Sequence, residues 1–511
     1  MRLFILLFTL ACLACQSPQP QAEPSPTPTG YDVNYEVFVQ AFADSDGDSI
    51  GDLPGLIAQL DYLESLHVDA LWLMPVHPSP SYHKYDVVDY RAIHPDYGSM
   101  DDYRRLVEEA HRRGIKIILD LVVNHSSDQH PWFQAAKAGP DDPYRDYYVW
   151  ADFDSIREEI EKKEVSEDSD NLTQWHPLPG QDERYYGFFW RGMPDLNFDH
   201  PQVRAEIYAI GRFWLEQVGV DGFRLDAARH IYPSDEQEKS HQFWEEFRAE
   251  MHKANPEVYL VGEVYASPEI VTPYLKGLPA LFNFGLADAI IRALNHGQDS
   301  GLVQLHHGIR TAYQAVNPHF VDATILSNHD QTRIMSALGD DPAKARMAAS
   351  LLFTLPGTPY LYYGEELGMR GRFPHENIRE PFLWGDDAPQ QTHWIALRDN
   401  PPGAVAPLAE QQRDSSSLYH HYRRLIQLRK RQATLLHGEI EPTPFEVQGL
   451  VSFYRVHAGD TVLVVHNVSP EPVALPHPEE LQTRFPRLIW ADQTDGVGAV
   501  LSAYGSLVLG Q

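Results

Sequence analysis

From Tyr35 onward, apolar runs of strand length alternate with stretches whose apolar residues recur at helical spacing. YEVFVQAF reads as a strand, LPGLIAQLDYLESL as a helix, VDALWLMP as a strand, MDDYRRLVEEAHRRG as a helix and IKIILDLVV as a strand. This alternation predicts parallel βαβ units. It breaks off from about His125 to His200, where aromatic, proline and charged residues crowd together, a stretch too long for an ordinary connection. It resumes at VRAEIYAIGRFWLEQ and runs through strands near Gly222, Leu260, Phe284, Ile325 and Tyr360, which with the first three makes eight. The helix LYHHYRRLIQLRKRQ closes the series, and VSFYRVHAGDTVLVVHNVS and SAYGSLVL beyond it read as short antiparallel strands.

The pattern predicts an α/β protein, a (β/α)8 TIM barrel with a subdomain inserted after its third strand and a C-terminal antiparallel β-sandwich. The expected boundaries are residues 31–124 and 201–432 for the barrel, 125–200 for the insertion and 433–511 for the sandwich. Within the insertion, IREEIEKKEVSEDSD is expected as a solvated helical or mobile segment.

The first thirty residues follow another logic. Met1-Arg2 and LFILLFTLACLA form the charged start and short apolar core of an export signal, too short for a comfortable membrane span. Cys15, just after Leu13-Ala14, resembles the lipidated cysteine of a bacterial lipoprotein, although Cys12 stands where leucine is usual. An ordinary secretory signal is the alternative. Both cysteines of the chain fall here, so no disulfide is expected in the mature protein. Residues 16–30, with Pro18, Pro20, Pro24, Pro26 and Pro28, predict an extended, solvated tether. The expectation is an exported, monomeric protein of the cell envelope, touching the membrane only through an N-terminal lipid anchor, or else secreted. The formal net charge of -31 leaves no basic face for phosphate contacts and argues against nucleic acid as a partner.

Candidate chemistry lies at the strand ends. Asp226 follows GVDGFRL, Glu263 closes VYLVGE, and Asp330 follows DATILS in SNHDQTR. In a βα barrel the carboxyl ends of all strands meet at one face. Carboxylates gathered there raise one another's pKa, an electrostatic cost kept mainly for chemistry. Glycoside cleavage needs such a set: a nucleophile, a proton donor and polar groups that grip the sugar. Singly, an acid ending a strand is more often a helix cap or a structural ion pair; the constellation carries the reading. A second acidic group, DSDGDSIGD, follows the first strand. Its carboxylates Asp44, Asp46, Asp48 and Asp52, with the backbone carbonyl near Ile50, alternate like the oxygen ligands of a calcium loop. It is not an EF-hand, because Gly55 stands where a bidentate Glu belongs. Four carboxylates so close would repel one another without a cation, so a structural Ca2+ is expected there.

These segments resemble the α-amylase family, glycoside hydrolase family 13, over roughly Tyr35 to Gln511. DLVVNH, MPDLN, GFRLDAARH, VGEVY, LSNHD and GTPYLYYGEELGM occur in the family's order and on the expected strands. The resemblance implies a retaining mechanism with Asp226 as nucleophile, Glu263 as acid and then base, and Asp330 gripping the sugar as its ring flattens. Arg224, two residues before Asp226, points to the same face by strand alternation and would keep Asp226 ionised. It further implies His125 and His329 as donors to the sugar and Tyr85 as its stacking floor. Arg229-His230, where amylases commonly show Lys-His, would lie on the leaving-group side. Similar loops in this family bind calcium or sometimes magnesium. Many amylases carry another calcium, held by the residues matching Asn124 and the carbonyl of His230; its further ligands are not legible here.

Substrate is less closely implied. MPDLN lies between the patterns of oligo-1,6-glucosidases and neopullulanases, while Ala227 after the nucleophile resembles enzymes that cut α-1,4 bonds. Export with a tether favours a substrate too large to import, such as starch, glycogen or maltodextrin. Together these lead to the expectation of an endo-acting α-amylase on an α-glucan. The alternatives are an α-glucosidase or 4-α-glucanotransferase acting on short maltooligosaccharides, and a non-catalytic relative, against which retention of all three acids speaks.

Overall fold

A computed structural model describes residues 31–158, 173–385, 387–494 and 496–511. The expected signal and tether, and all but the first residues of the acidic stretch Ile156 to Asp170, lie outside the described residues. The barrel begins with β1 (Asn34–Val37), β2 (Ala70–Leu73) and β3 (Lys116–Leu121). The insertion adds β4 (Trp150–Asp152), β5 (Trp175–Pro177) and β6 (Glu183–Tyr186) as a small antiparallel sheet. The barrel then continues with β7 (Gly222–Leu225), β8 (Tyr259–Gly262), β9 (Ala280–Asn283), β10 (Val321–Ile325) and β11 (Thr358–Tyr362). Its eight strands close in the ring order β1-β11-β10-β9-β8-β7-β3-β2, all neighbours parallel.

The strand sequences look uniformly apolar because both faces of such a sheet are covered. Alternation nevertheless sorts them. In β2, Ala70 and Trp72 join the cluster inside the barrel, whereas Leu71 and Leu73 join the core beneath the surrounding helices. Two local expectations are corrected. The first strand ends at Val37, and Val39–Phe42 turn as a short helix. LPGLIAQLDYLESL is two helices, Leu53–Ala58 and Leu60–Leu66. Between them the Gln59 N–H donates to Leu56 O, a tighter bond than the α-helical one, and this resets the helix axis.

The bridge of His125 with Asp195 lays MPDLN against the chain leaving β3, and the bridge of Tyr148 with Leu196 ties MPDLN to the rest of the insertion. At the C-terminus β12 (Glu439–Pro442), β13 (Leu450–His457), β14 (Asp460–Asn467), β16 (Arg487–Asp492) and β18 (Ser506–Gly510) form one antiparallel sheet. β15 (Val473–Ala474) and β17 (Val500–Leu501) form a second, two-stranded one. Buried Arg455 ties this part to the barrel by donating to Thr354 O, while Arg346 meets Asp492 through two bonds of 2.7 Å. No helix among the described residues is long and apolar enough to cross a membrane.

Candidate active site

Alternation along β7 turns Arg224 into the barrel, fully buried, while Phe223 and Leu225 face the helices. Its Nη1 donates to Asp120 on β3 at 2.9 Å and to Asp226 Oδ1 at 2.7 Å. Its Nη2 donates to Glu263 Oε2, just past β8, at 2.7 Å. One planar guanidinium therefore holds carboxylates from three strands. The Ala227 N–H adds a donor to Glu263 Oε2 at 3.2 Å, leaving Asp226 Oδ2 and Glu263 Oε1 outside the fork.

A second network adjoins the first. Asp330 accepts from Arg379 Nη2 at 2.7 Å and lies 3.0 Å from His329 Nε2. The other ring nitrogen of fully buried His329 meets Glu36 Oε1 on β1 at 2.5 Å. Tyr85 joins the networks: its hydroxyl lies 2.7 Å from His329 Nε2 and donates to Asp120 Oδ2 at 2.9 Å. Its ring lies nearly parallel to the imidazole, with centroids 5.3 Å apart. His125 Nε2 lies 3.2 Å from the Tyr85 carbonyl.

These contacts separate the acids electrostatically. Burial raises the pKa of Asp226, Arg224 opposes it and the Asp330 charge adds to it, for a net rise. Glu263 is likewise raised, by burial and by the charges of Asp226 and Asp330 against the pull of Arg224. Asp330 goes the other way: burial pushes it up, but the His329 imidazolium and Arg379 hold it well below the usual carboxylate range. Burial pulls His329 down, yet Asp330 and Glu36 together carry it up to about 10, so it is a cation at neutral pH. Side-chain exposure rises from 10% for Asp226 through 20% for Glu263 to 43% for Asp330, so the last faces the cleft most openly and water screens it most. The cleft above them encloses about 770 Å³, and Tyr82, His83, Tyr85, His125, Arg229, His230 and Arg379 also line it.

The family profile of the α-amylase catalytic domain matches residues 36–438. The chain belongs to the α-amylase family. It is a glycosidase of that family, acting on α-glucans. "Alpha-amylase 3" of Dictyoglomus thermophilum is 44% identical over 419 residues, covering 82% of this chain and 80% of that protein. A 4-alpha-glucanotransferase of Thermotoga neapolitana is 35% identical over 424 residues, covering 81% and 90%. Among solved structures, an alpha-amylase from H. orenii superposes with a TM-score of 0.84 at 40% identity, covering 94% of this chain and 99% of that one.

Within this family member the sequence-derived site residues gather as a set. Asp226, Glu263, Asp330, Tyr85, His125, Arg229 and His230 line one cleft, with Arg224 and His329 in its floor. His230 stacks on Phe188 at 4.1 Å, and Arg229 donates to the Tyr265 carbonyl at 3.3 Å. Sequence reasoning gave no role to Glu36, Asp120, Tyr82, His83 or Arg379. The first two carried a signal: an acid inside an apolar strand, in YEVFVQAF and IKIILDLVV, must face the barrel interior and find a cation there. Arg379 caps the short helix His375–Ile378 after β11, a single turn too brief for any periodicity to mark it.

The acidic loop after β1 divides differently from its sequence pattern. Carboxylate oxygens of Asp44, Asp46 and Asp48 lie within 4.8 Å of one another. Asp52 is not part of that cluster. Its Oδ1 caps the helix Leu53–Ala58 through the Gly55 N–H at 2.6 Å, and its Oδ2 accepts from Ser45 N at 3.0 Å. The Ile50 N–H donates to Asp48 Oδ1 at 2.8 Å. Asn124 reaches the buried carboxyl of Asp195, which burial pushes up to about 7.

Proposed function

We propose that the protein is an endo-acting α-amylase that cleaves α-1,4 bonds of starch, glycogen or maltodextrins by double displacement. The observation that carries this reading is the single buried guanidinium of Arg224 holding both Asp226 and Glu263. Adjacent nitrogens of one fork suit the carboxyl separation of about 5–5.5 Å that a retaining mechanism needs.

In this reading Oδ2 of Asp226, which lies outside the Arg224 fork, attacks the anomeric carbon, and Glu263 Oε1 carries the proton to the departing oxygen. Burial and the neighbouring negative charge keep Glu263 protonated long enough to act as the acid. Once Asp226 is esterified its charge is gone. Glu263 then loses a like-charge neighbour, its pKa falls, and the carboxylate serves as base toward water. Asp330, held ionised by His329 and Arg379, accepts hydrogen bonds from sugar hydroxyls, most strongly as the ring flattens. Tyr85 floors the sugar, and His125 donates to it. Arg229 and His230 lie toward the leaving group. Ala227 after the nucleophile supports α-1,4 over α-1,6 cleavage by resemblance.

A Ca2+ ion is proposed for the loop after β1. Asp44, Asp46 and Asp48 fit a hard cation, since three carboxylate oxygens this close repel one another without one. The ion would pin the first βα loop and take no part in catalysis; Mg2+ would be a smaller substitute. Export as a lipid-anchored monomer through Cys15 belongs to the same proposal. The test is the product profile over time on soluble starch and maltotriose. Rapid loss of viscosity with mixed maltooligosaccharides is expected. Glucose from the outset with slowly falling viscosity would replace this reading by an α-glucosidase.

A further inference from the structure

Glu36 is an acid inside an apolar strand, 2% exposed, and the double displacement makes no use of it. Alternation along β1 turns its carboxyl into the barrel, where Oε1 lies 2.5 Å from His329 Nδ1. The other nitrogen of that ring, Nε2, meets two groups of the site: Asp330 Oδ2 at 3.0 Å and the Tyr85 hydroxyl oxygen at 2.7 Å. The Tyr85 hydroxyl donates onward to Asp120 Oδ2. Asp120 accepts from Arg224 Nη1, the nitrogen that also holds the nucleophile Asp226. A continuous chain of hydrogen bonds therefore runs from β1 to the attacking carboxylate.

Such a chain has a direction, and the proton count of His329 sets it. With a proton on each nitrogen the ring donates at both ends, from Nδ1 to Glu36 and from Nε2 to Asp330 and Tyr85. The Tyr85 hydroxyl then accepts from the ring and keeps its own proton for Asp120. With Nε2 bare, the ring accepts there instead. The Tyr85 proton turns toward it and away from Asp120, and Asp330 Oδ2 faces a lone pair.

The surroundings of the ring are mixed in sign. Trp72 on β2 packs edge-on at 5.6 Å without charge. Arg379 donates to the His329 carbonyl at 3.0 Å, and Arg224 on β7 and His375 after β11 lie near enough to add positive charge around the pair. Asp330, Glu36 and Asp120 supply the opposing charge. Asp330 contributes most to the rise of His329, but its carboxyl is 43% exposed and open to water and sugar, whereas that of Glu36 is sealed in the barrel. Burial pushes Glu36 up while His329 and Arg224 pull it down. With His329 carried up to about 10, the shared proton stays on the ring at neutral pH.

We propose that Glu36 is a positioning residue for the reaction: its buried carboxylate keeps His329 a donor at both nitrogens, and through that ring it aims Asp330 at the sugar and the Tyr85 hydroxyl at Asp120. The proposal rests on the double-displacement reading above.

The test separates charge from shape at position 36. Glu36→Gln keeps the length and offers an oxygen to Nδ1–H without charge, and Glu36→Asp keeps the charge on a shorter arm. The full chain of each, and wild type, is assayed for kcat and KM on soluble starch from pH 6 to pH 9, per folded enzyme by circular dichroism. Loss of one close carboxylate lowers the His329 pKa by about two units, so kcat/KM of Glu36→Gln relative to wild type should fall about ten-fold between pH 7 and pH 9. Dividing by wild type removes the ionisations both enzymes share. The fall should lie mainly in kcat, because Asp330 grips hardest as the ring flattens. Glu36→Asp should run parallel to wild type across the range, whatever its overall rate. A merely structural Glu36 predicts the reverse, with glutamine as good as glutamate and aspartate the damaged variant. A Glu36→Gln ratio level with pH, or an equal fall in Glu36→Asp, overturns the proposal and leaves the hydrolase reading intact. Wild type that releases no reducing sugar from starch overturns that reading, and with it the reaction Glu36 would serve.

Discussion

Arg224→Gln is the most informative single perturbation. The guanidinium is wholly buried and bonds Asp120, Asp226 and Glu263 at 2.7 to 2.9 Å. A cation at that range lowers a carboxyl pKa by about 1–3 units, and glutamine supplies no charge. Asp226 and Glu263, already above their ordinary values of 3.8 and 4.5, should each rise further. The acid limb of kcat/KM reports a nucleophile that must be ionised, and the alkaline limb an acid that must be protonated. Both limbs should therefore move to higher pH by about 1–3 units, as apparent values of the coupled set. At a pH on the wild-type acid limb, activity falls by about 10- to 1,000-fold for that reason alone.

Stability changes with the same sign. Breaking a buried ion pair costs about 3–5 kcal/mol, less where the stranded carboxyls can take up protons. Folded-state pKa values raised above the unfolded ones give stability that is present at low pH and lost as pH rises through them. The melting temperature of Arg224→Gln should thus fall more steeply than that of wild type as pH rises above the ordinary carboxyl values of 3.8 and 4.5. Arg224→Lys, which keeps the charge but loses the fork, should lose rate with a much smaller displacement of the limbs. A folded Arg224→Gln enzyme with both limbs unmoved refutes the reasoning, because generic damage lowers the height of the profile without shifting it.

Glu263→Gln should cut kcat on starch by about 10²- to 10⁴-fold and much less on an aryl glycoside whose leaving group needs no proton; equal losses on both would remove Glu263 from the acid role. Excess chelator should lower the melting temperature, and Asp44→Asn or Asp46→Asn should abolish that sensitivity. A melt unchanged at every chelator concentration would sink the metal assignment. Glu36→Gln removes one of the two carboxylates that carry His329 up to about 10. Imidazole nitrogen resonances should then show His329 titrating about two units lower, whereas in wild type the ring stays protonated through neutral pH. Identical titrations would show that Glu36 does not set the charge of His329.

The parts of this protein written locally were legible in its chain. A barrel strand and its helix are each a contiguous run with its own period, so the alternation from Tyr35 to Tyr360 predicts eight strands, and the acids at their ends predict a convergent site. The tertiary structure decided which distant groups pair. Glu36 and His329 are 293 residues apart, yet β1 and the chain leaving β10 bring them into contact in the barrel floor. Arg379 reaches Asp330 from the end of a single helical turn 49 residues away that is too short to show a pattern. Asp52, identical in type to its neighbours in DSDGDSIGD, caps a helix because the chain turns there, while Asp44, Asp46 and Asp48 remain together. Composition and periodicity follow from the hydrophobic effect acting along one segment, whereas hydrogen-bond geometry depends on where closure of the ring brings the ends of separate segments.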